Sequence, residues 1–170
     1  MPCEARLPRP REQDAMNSSV FDILMYVFDR YVLDELADSG RETLARDLES
    51  AGFGEAHVER ALDWLADLAD QQTRPSPRAG GSFRIYAPEE MARLDVRCRG
   101  FLASLEERGI VSPGQRELVI DRLLALDGDD LDLDHVKWVV LMVLSSQPGQ
   151  EVAYERMEEL VFDRSLHEPH

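Results

Sequence analysis

The sequence predicts an all-α fold, a compact bundle of about seven helices, on three observations. Leu131 to Leu144 (LDLDHVKWVVLMVL) is apolar on every side after Asp134 except at His135 and Lys137, so it offers water no face and must be wrapped by other helices. It is also too short for the roughly twenty residues that cross a bilayer. Val20 to Val32 (VFDILMYVFDRYV) is nearly as apolar, interrupted before Arg30 only by Asp22 and Asp29, seven apart on one side of a helix. Phe83 to Tyr86 (FRIY) is the single strand-like patch in a chain otherwise patterned for helix, and one strand has no partner of its own.

Ser18 is the expected N-cap of the Val20 helix, which is expected to pair with the Leu131 to Leu144 helix. Ser39-Gly40-Arg41-Glu42 reads as a capping box, opening a helix from about Gly40 to Ala51 with Leu44 and Leu48 inward. Gly52-Phe53-Gly54 makes a tight corner. Helix resumes from Glu55 to Asp70 with Val58, Ala61, Leu62, Leu65, Leu68 and Ala69 on one face and Glu59, Asp63, Asp67 and Asp70 in line on the other. The pair is shaped like a helix-turn-helix. Its second helix, however, presents four carboxylates where base and phosphate contacts need Arg, Lys, Asn or Gln. The stripe is read first as a solvated face and second as a docking surface for a basic partner.

Gln71 to Gly81 (QQTRPSPRAGG) reads as a linker, since two prolines and two glycines forbid regular structure. The FRIY patch after it is expected to lie extended over the bundle, with addition to a partner's sheet edge as the sharper reading. Pro88, Glu89 and Glu90 open what reads as the longest helix, with Met91, Leu94, Cys98, Phe101, Leu102 and Leu105 inward until Gly109. On its outer side Arg93 and Arg97 stack one turn apart, a basic spot for an anion or a partner. Ser112-Pro113-Gly114-Gln115 is a capping box with proline at N1, followed by Val119, Ile120, Leu123, Leu124 and Leu126 inward. Asp127 to Asp134 invites a calcium loop but fails on count. A loop begun at Asp127 meets Leu131 at position five and Trp138 at twelve, so these acids are better read as capping the next helix. Lys137, the only lysine, reads as snorkelling or ion-paired. Glu151 to Phe162 closes the fold with Ala153, Met157, Leu160 and Val161 inward.

Composition narrows the function classes. Acidic residues number 34 against 19 basic ones, a net charge of −15, and the pI is near 4.6. A surface this negative repels phosphate backbones and anionic lipid. With 44% hydrophobic residues the chain is folded, not an acidic disordered tail. Cys3 and Cys98 are too few for a disulfide framework or a zinc site, and Cys98 reads as a small core residue. Residues 1–15 (MPCEARLPRPREQDA) lack the apolar run of a secretory signal, so a disordered leader on a cytoplasmic protein is expected. Residues 16–162 are read as one helical domain, lobes 16–72 and 88–162 joined by 73–87, and 163–170 as a disordered tail.

Several strings together resemble one family: VFDILMYVFDRYV at 20–32, AGF at 51–53, ALDWLADLAD at 61–70, RIYAPEE at 84–90 and CRGFL at 98–102. RELVIDRLLALD at 116–127, DLDHVKWVVLMVL from 132 and MEELVF from 157 complete the set. They resemble the Smg family of small acidic bacterial proteins, which implies no known biochemical activity and no catalytic residue to carry over. Its genes often neighbour one for a DNA-processing protein, an association and not a mechanism. The residues favour a non-enzymatic protein-interaction or regulatory protein with no cofactor, no metal and no membrane. Glu59, Asp63, Asp67, Asp70, Phe83, Ile85, Arg93 and Arg97 are the candidate partner contacts. The alternative is a nucleic-acid-linked regulator using the Gly40 to Asp70 helix pair and an arginine cluster, Arg74, Arg78, Arg84, Arg93 and Arg97. An enzyme is the weakest reading, because none of His57, His135, His167 and His170 has a Ser, Cys or second His at triad or metal spacing.

Overall fold

The computed structural model describes residues 19–31, 39–73, 84–128 and 131–162. Eight helices lie among them: α1 (Val20–Arg30), α2 (Arg41–Ser50), α3 (Glu55–Thr73), α4 (Pro88–Arg93), α5 (Val96–Glu107), α6 (Pro113–Leu124), α7 (Leu133–Ser145) and α8 (Glu151–Phe162). The described residues form no strand, only a lone parallel bridge between Leu94 and Leu131.

The architecture is arranged around α7. Asp132 caps it by accepting from the His135 N–H at 3.0 Å. From there Val136, Lys137 and every residue from Val139 to Leu144 are buried, beneath α5, α6, α8 and part of α1. Each of the fully buried Leu141, Met142 and Leu144 contributes about 2 kcal/mol relative to leaving it in water. Trp138, expected to be sealed with its neighbours, is instead half-buried, meeting Phe28 of α1 edge-on at 5.8 Å.

α1 buries Val20, Ile23, Leu24 and Val27, but its main cover is α3 and not α7. Contact with α7 runs through Phe28 and through Phe21, whose ring lies 4.2 Å from that of His135. Its cap is Ser19, one residue later than expected, in a reciprocal box with Asp22. α2 likewise departs from the capping-box expectation. Gly40, at φ +69°, is the N-cap, a conformation glycine adopts without a Cβ penalty, and Glu42 reaches forward to Arg46 at 2.6 Å. The α2–α3 corner turns on Gly52 at φ +102°, and Phe53 there is buried. α3 runs 19 residues, through Gln71 and Gln72, so the helix takes the start of the expected linker. Trp64, which the periodic pattern had not placed inside, is buried and donates from Nε1 to the Arg122 carbonyl at 2.9 Å.

The expected long helix from Pro88 to Gly109 is two helices. Leu94 leaves α4 with extended backbone (φ −106°, ψ 108°) and is itself fully buried, and Asp95 caps α5 by accepting from the Cys98 N–H at 2.8 Å. The break was hidden because Leu94, Cys98, Leu102 and Leu105 keep one spacing across it and face one core. α4 buries none of its own residues, so Met91, expected inward, stands exposed. The Ser112 and Gln115 box, with Pro113 at N1, opens α6 as expected.

Candidate functional site

Of the acidic stripe, Glu59, Asp63, Asp67 and Asp70 are all exposed on α3. The line is partly laced by arginines from neighbouring helices: Arg41 of α2 lies 2.7 Å from Asp63 and 3.7 Å from Glu59, and Arg122 of α6 lies 3.6 Å from Asp67. Exposed pairs of this kind contribute little stability, so the lacing trims the field of the stripe without removing it.

The second group of candidates is scattered by the break in the predicted long helix. Ile85 is 91% exposed, while Phe83 lies outside the described residues. Arg93 ends α4 and turns inward, donating to the carbonyl of Leu124 and, at 2.8 and 2.6 Å, to those of Leu126 and Gly128. It satisfies the last carbonyl of α6 and two more in the turn that follows it. Arg97 is exposed in the first turn of α5, so the two arginines do not form the paired spot that one continuous helix would make.

What pins the segment before α4 is a chain of charges. Arg84 donates to both carboxylate oxygens of Glu90, at 2.7 and 2.8 Å, and to Glu117 at 2.6 Å. Arg116 continues the chain to Glu117 at 3.0 Å and to Glu106. The bidentate hydrogen bonds from Arg84 hold the Glu90 carboxyl below its usual range and lift Arg84 itself. Glu117, which burial alone would raise, is held low by Arg84 and Arg116. Tyr86 sits with the Arg84 guanidinium 4.5 Å from its ring centre and that of Arg99 at 5.6 Å.

Beside this network lies an open cleft of about 1080 Å³, between the end of α3, the α5–α6 turn, the start of α6 and the stretch after α7. Five of the chain's six glutamines line it: Gln71, Gln72, Gln115, Gln147 and Gln150. Gln115 donates to Gln147 Oε1 at 2.6 Å, Gln71 to Asp121 at 3.0 Å, and Gln72 to Ser146. The side-chain oxygens of Gln71 and Gln72, the Gln147 Nε2 and the whole Gln150 amide make no hydrogen bond to other described residues. The cleft's carboxylates are all ion-paired: Glu106 and Glu117 share Arg116, and Asp121 pairs with Arg122 at 2.7 Å. Sequence reasoning missed this site. The available signal was the scarcity of glutamine, confined beyond residue 70 to three short stretches.

Reactive groups elsewhere are subdued. Burial pushes the Cys98 thiol up to about 12, so it is not a thiolate at neutral pH. Lys137 is 4% exposed, and burial first, then Arg97, lowers its pKa against the opposing charge of Asp134 at 3.9 Å. Among the described residues no three His, Cys, Asp or Glu side chains gather to hold a metal ion. In the acidic run, Asp127 pairs with Arg60 at 2.8 Å and Asp132 serves α7 as its cap. No helix of the described residues is long and apolar enough to cross a membrane.

Comparison with known proteins places the chain. The family described as "Protein of unknown function (DUF494)" matches residues 20–170. A "Protein Smg homolog" from Alkalilimnicola ehrlichii is 47% identical over 157 residues, covering 91% of this chain and 100% of the relative. Homologues of the same name from Halorhodospira halophila (44% over 156 residues, 91% of this chain and 100% of the relative) and Nitrosococcus oceani (48% over 152 residues, 87% and 96%) agree. No solved structure matches. The strings that resembled the Smg family therefore belong to a relationship spanning nearly the whole chain, and the protein is a member of that family, one whose function is not established.

Proposed function

We propose that this protein is a non-enzymatic interaction or regulatory protein of the bacterial cytoplasm, docking to a protein partner through its acidic exterior. One observation carries the reading: four arginines, two of them from the cluster a polyanion would need, are turned onto the protein's own carboxylates and carbonyls. Arg84, Arg93, Arg116 and Arg122 all bond internally, the last only 5% exposed. What the outside keeps in surplus is carboxylate, on a chain of net charge −15. The same observation weighs against the nucleic-acid-linked reading at Arg84 and Arg93; of the rest of its arginine cluster, Arg97 is exposed and Arg74 and Arg78 lie outside the described residues. A basic protein surface is the chemistry that complements Glu59, Asp63, Asp67 and Asp70.

The test is cross-linking in cells followed by affinity capture at about 50 and 300 mM NaCl, salt levels that bracket effective screening. A reproducible partner held by the parent chain, weakened at the higher salt and lost from a Glu59→Gln, Asp63→Asn, Asp67→Asn variant is the expected result. A partner held equally by that variant, or a low-salt duplex DNA shift by the parent chain, contradicts the reading.

A further inference from the structure

We propose that the glutamine-lined cleft binds an extended polypeptide segment of a partner protein through that segment's main-chain amides. The inference rests on the interaction reading above and adds to it a second, uncharged contact.

Glutamine carries the peptide group on its side chain, one carbonyl acceptor and an NH₂ donor, so a row of glutamines offers a main chain its own hydrogen-bonding pattern. Nothing in helix packing requires five of six glutamines to meet at one place. They arrive from the end of α3, the first turn of α6 and the stretch after α7. Ser146, which follows α7, is engaged by Gln72. The half-buried amide groups of Gln71, Gln72, Gln147 and Gln150 retain donors and acceptors that no other described residue engages.

Charge separates this surface from the rest of the exterior. Among the described residues Arg84, Arg116 and Arg122 offset three of the four carboxylates in this network, Glu90, Glu106, Glu117 and Asp121, so the cleft is far less anionic than the stripe on α3. Recognition there comes from hydrogen bonds and not from steering. The cleft is open, and its volume of about 1080 Å³ lies just above the roughly 300–1,000 Å³ range of small-molecule pockets, which suits a strand laid across it. Glutamine can also read nucleobase edges. A nucleic acid would bring phosphates to the same anionic exterior, which disfavours it.

The experiment selects displayed random peptides of about ten residues, roughly 33 Å when extended, on the immobilised full chain. Peptides that bind a Gln147→Ala, Gln150→Ala chain equally well are discarded. The survivors are titrated into ¹⁵N-labelled protein. The expected result is joint movement of the Gln71, Gln147 and Gln150 side-chain amide signals and a loss of about tenfold in affinity on Gln150→Ala alone. Affinity should change less than about threefold between about 50 and 500 mM NaCl. The Gln150 side chain makes no hydrogen bond to other described residues, and its main-chain carbonyl, which accepts from the Tyr154 N–H at 2.8 Å, is kept by alanine, so the substitution spares the fold, and unchanged thermal unfolding checks this. No peptide preferring the parent chain, or binding that leaves these amides still, overturns the proposal. So does an oligodeoxyadenosine that moves them where peptides do not. Peptide binding that survives in the Glu59→Gln, Asp63→Asn, Asp67→Asn chain keeps this outcome separate from that of the acidic-face reading.

Discussion

α7 and the segment from Arg84 to Arg93 are held in place by opposite means. α7 is fixed by what it lacks: from Val139 to Leu144 no side chain has a use for water, and four helices cover it. The segment from Arg84 to Arg93 buries almost nothing apolar before Leu94. Ile85 is 91% exposed and Met91 stands out in solvent, and the chain is tied down by Arg84 at one end and Arg93 at the other. Apolar burial is cooperative and indifferent to pH and salt, whereas arginine anchors are local and sensitive to both. The difference shows where this molecule is rigid and where its surface can rearrange, and the anchored segment borders the glutamine cleft through Glu117.

The largest effect expected is in the apolar region. Leu141→Ala should cost about 3 kcal/mol in urea unfolding, since a fully buried leucine leaves a cavity. A cost under about 1 kcal/mol would break the contrast by showing that α7 is not sealed. Next, Arg84→Ala should cost about 1–2 kcal/mol, allowing for the partial exposure of Glu117, and should be read mainly as faster amide exchange around Arg84 to Arg93. The polar entry to α7 comes third. Asp132→Ala should cost about 1 kcal/mol through loss of the cap on His135 N–H. The pH dependence sharpens the comparison further. Glu90 and Glu117 have folded values below the ordinary carboxylate value of about 4.3, so the stability they supply is complete above that value and is lost as pH falls through their lower folded values. The Arg84→Ala deficit should therefore shrink between about pH 5 and 3, while that of Leu141→Ala stays level. Smallest is Arg46→Ala, which removes an exposed pair with Glu42 and should cost no more than about 0.5 kcal/mol by thermal unfolding.

These two means of attachment also explain what was legible beforehand. Apolar patterning is local, so α7, the Leu44 and Leu48 face of α2 and the Ser112 box of α6 could be read along the chain. The break at Leu94 and Asp95 could not, because both helices show their leucines to one core and the spacing runs on unbroken. Arg93 looked like an outward basic residue because its partners, the carbonyls of Leu124, Leu126 and Gly128, lie more than thirty residues away. The cleft was harder still. Gln115 and Gln147 are 32 residues apart, and Gln72 and Ser146 are 74 apart, so only the fold brings them together. Of the expected contacts, Glu59, Asp63, Asp67 and Asp70 share one exposed face as read, while Arg93 and Arg97 were parted by the helix break.

Native-state hydrogen exchange of the full chain, followed at low salt and at about 1 M NaCl, addresses the contrast most directly. The amides of Val139 to Leu144 should exchange only through global unfolding, at a rate little changed by salt. Those from Met91 to Leu94 should open locally and faster as salt screens the arginine anchors. If both stretches open together, or if the α7 amides exchange as readily as those of α4, apolar sealing of the one and ionic pinning of the other are both contradicted.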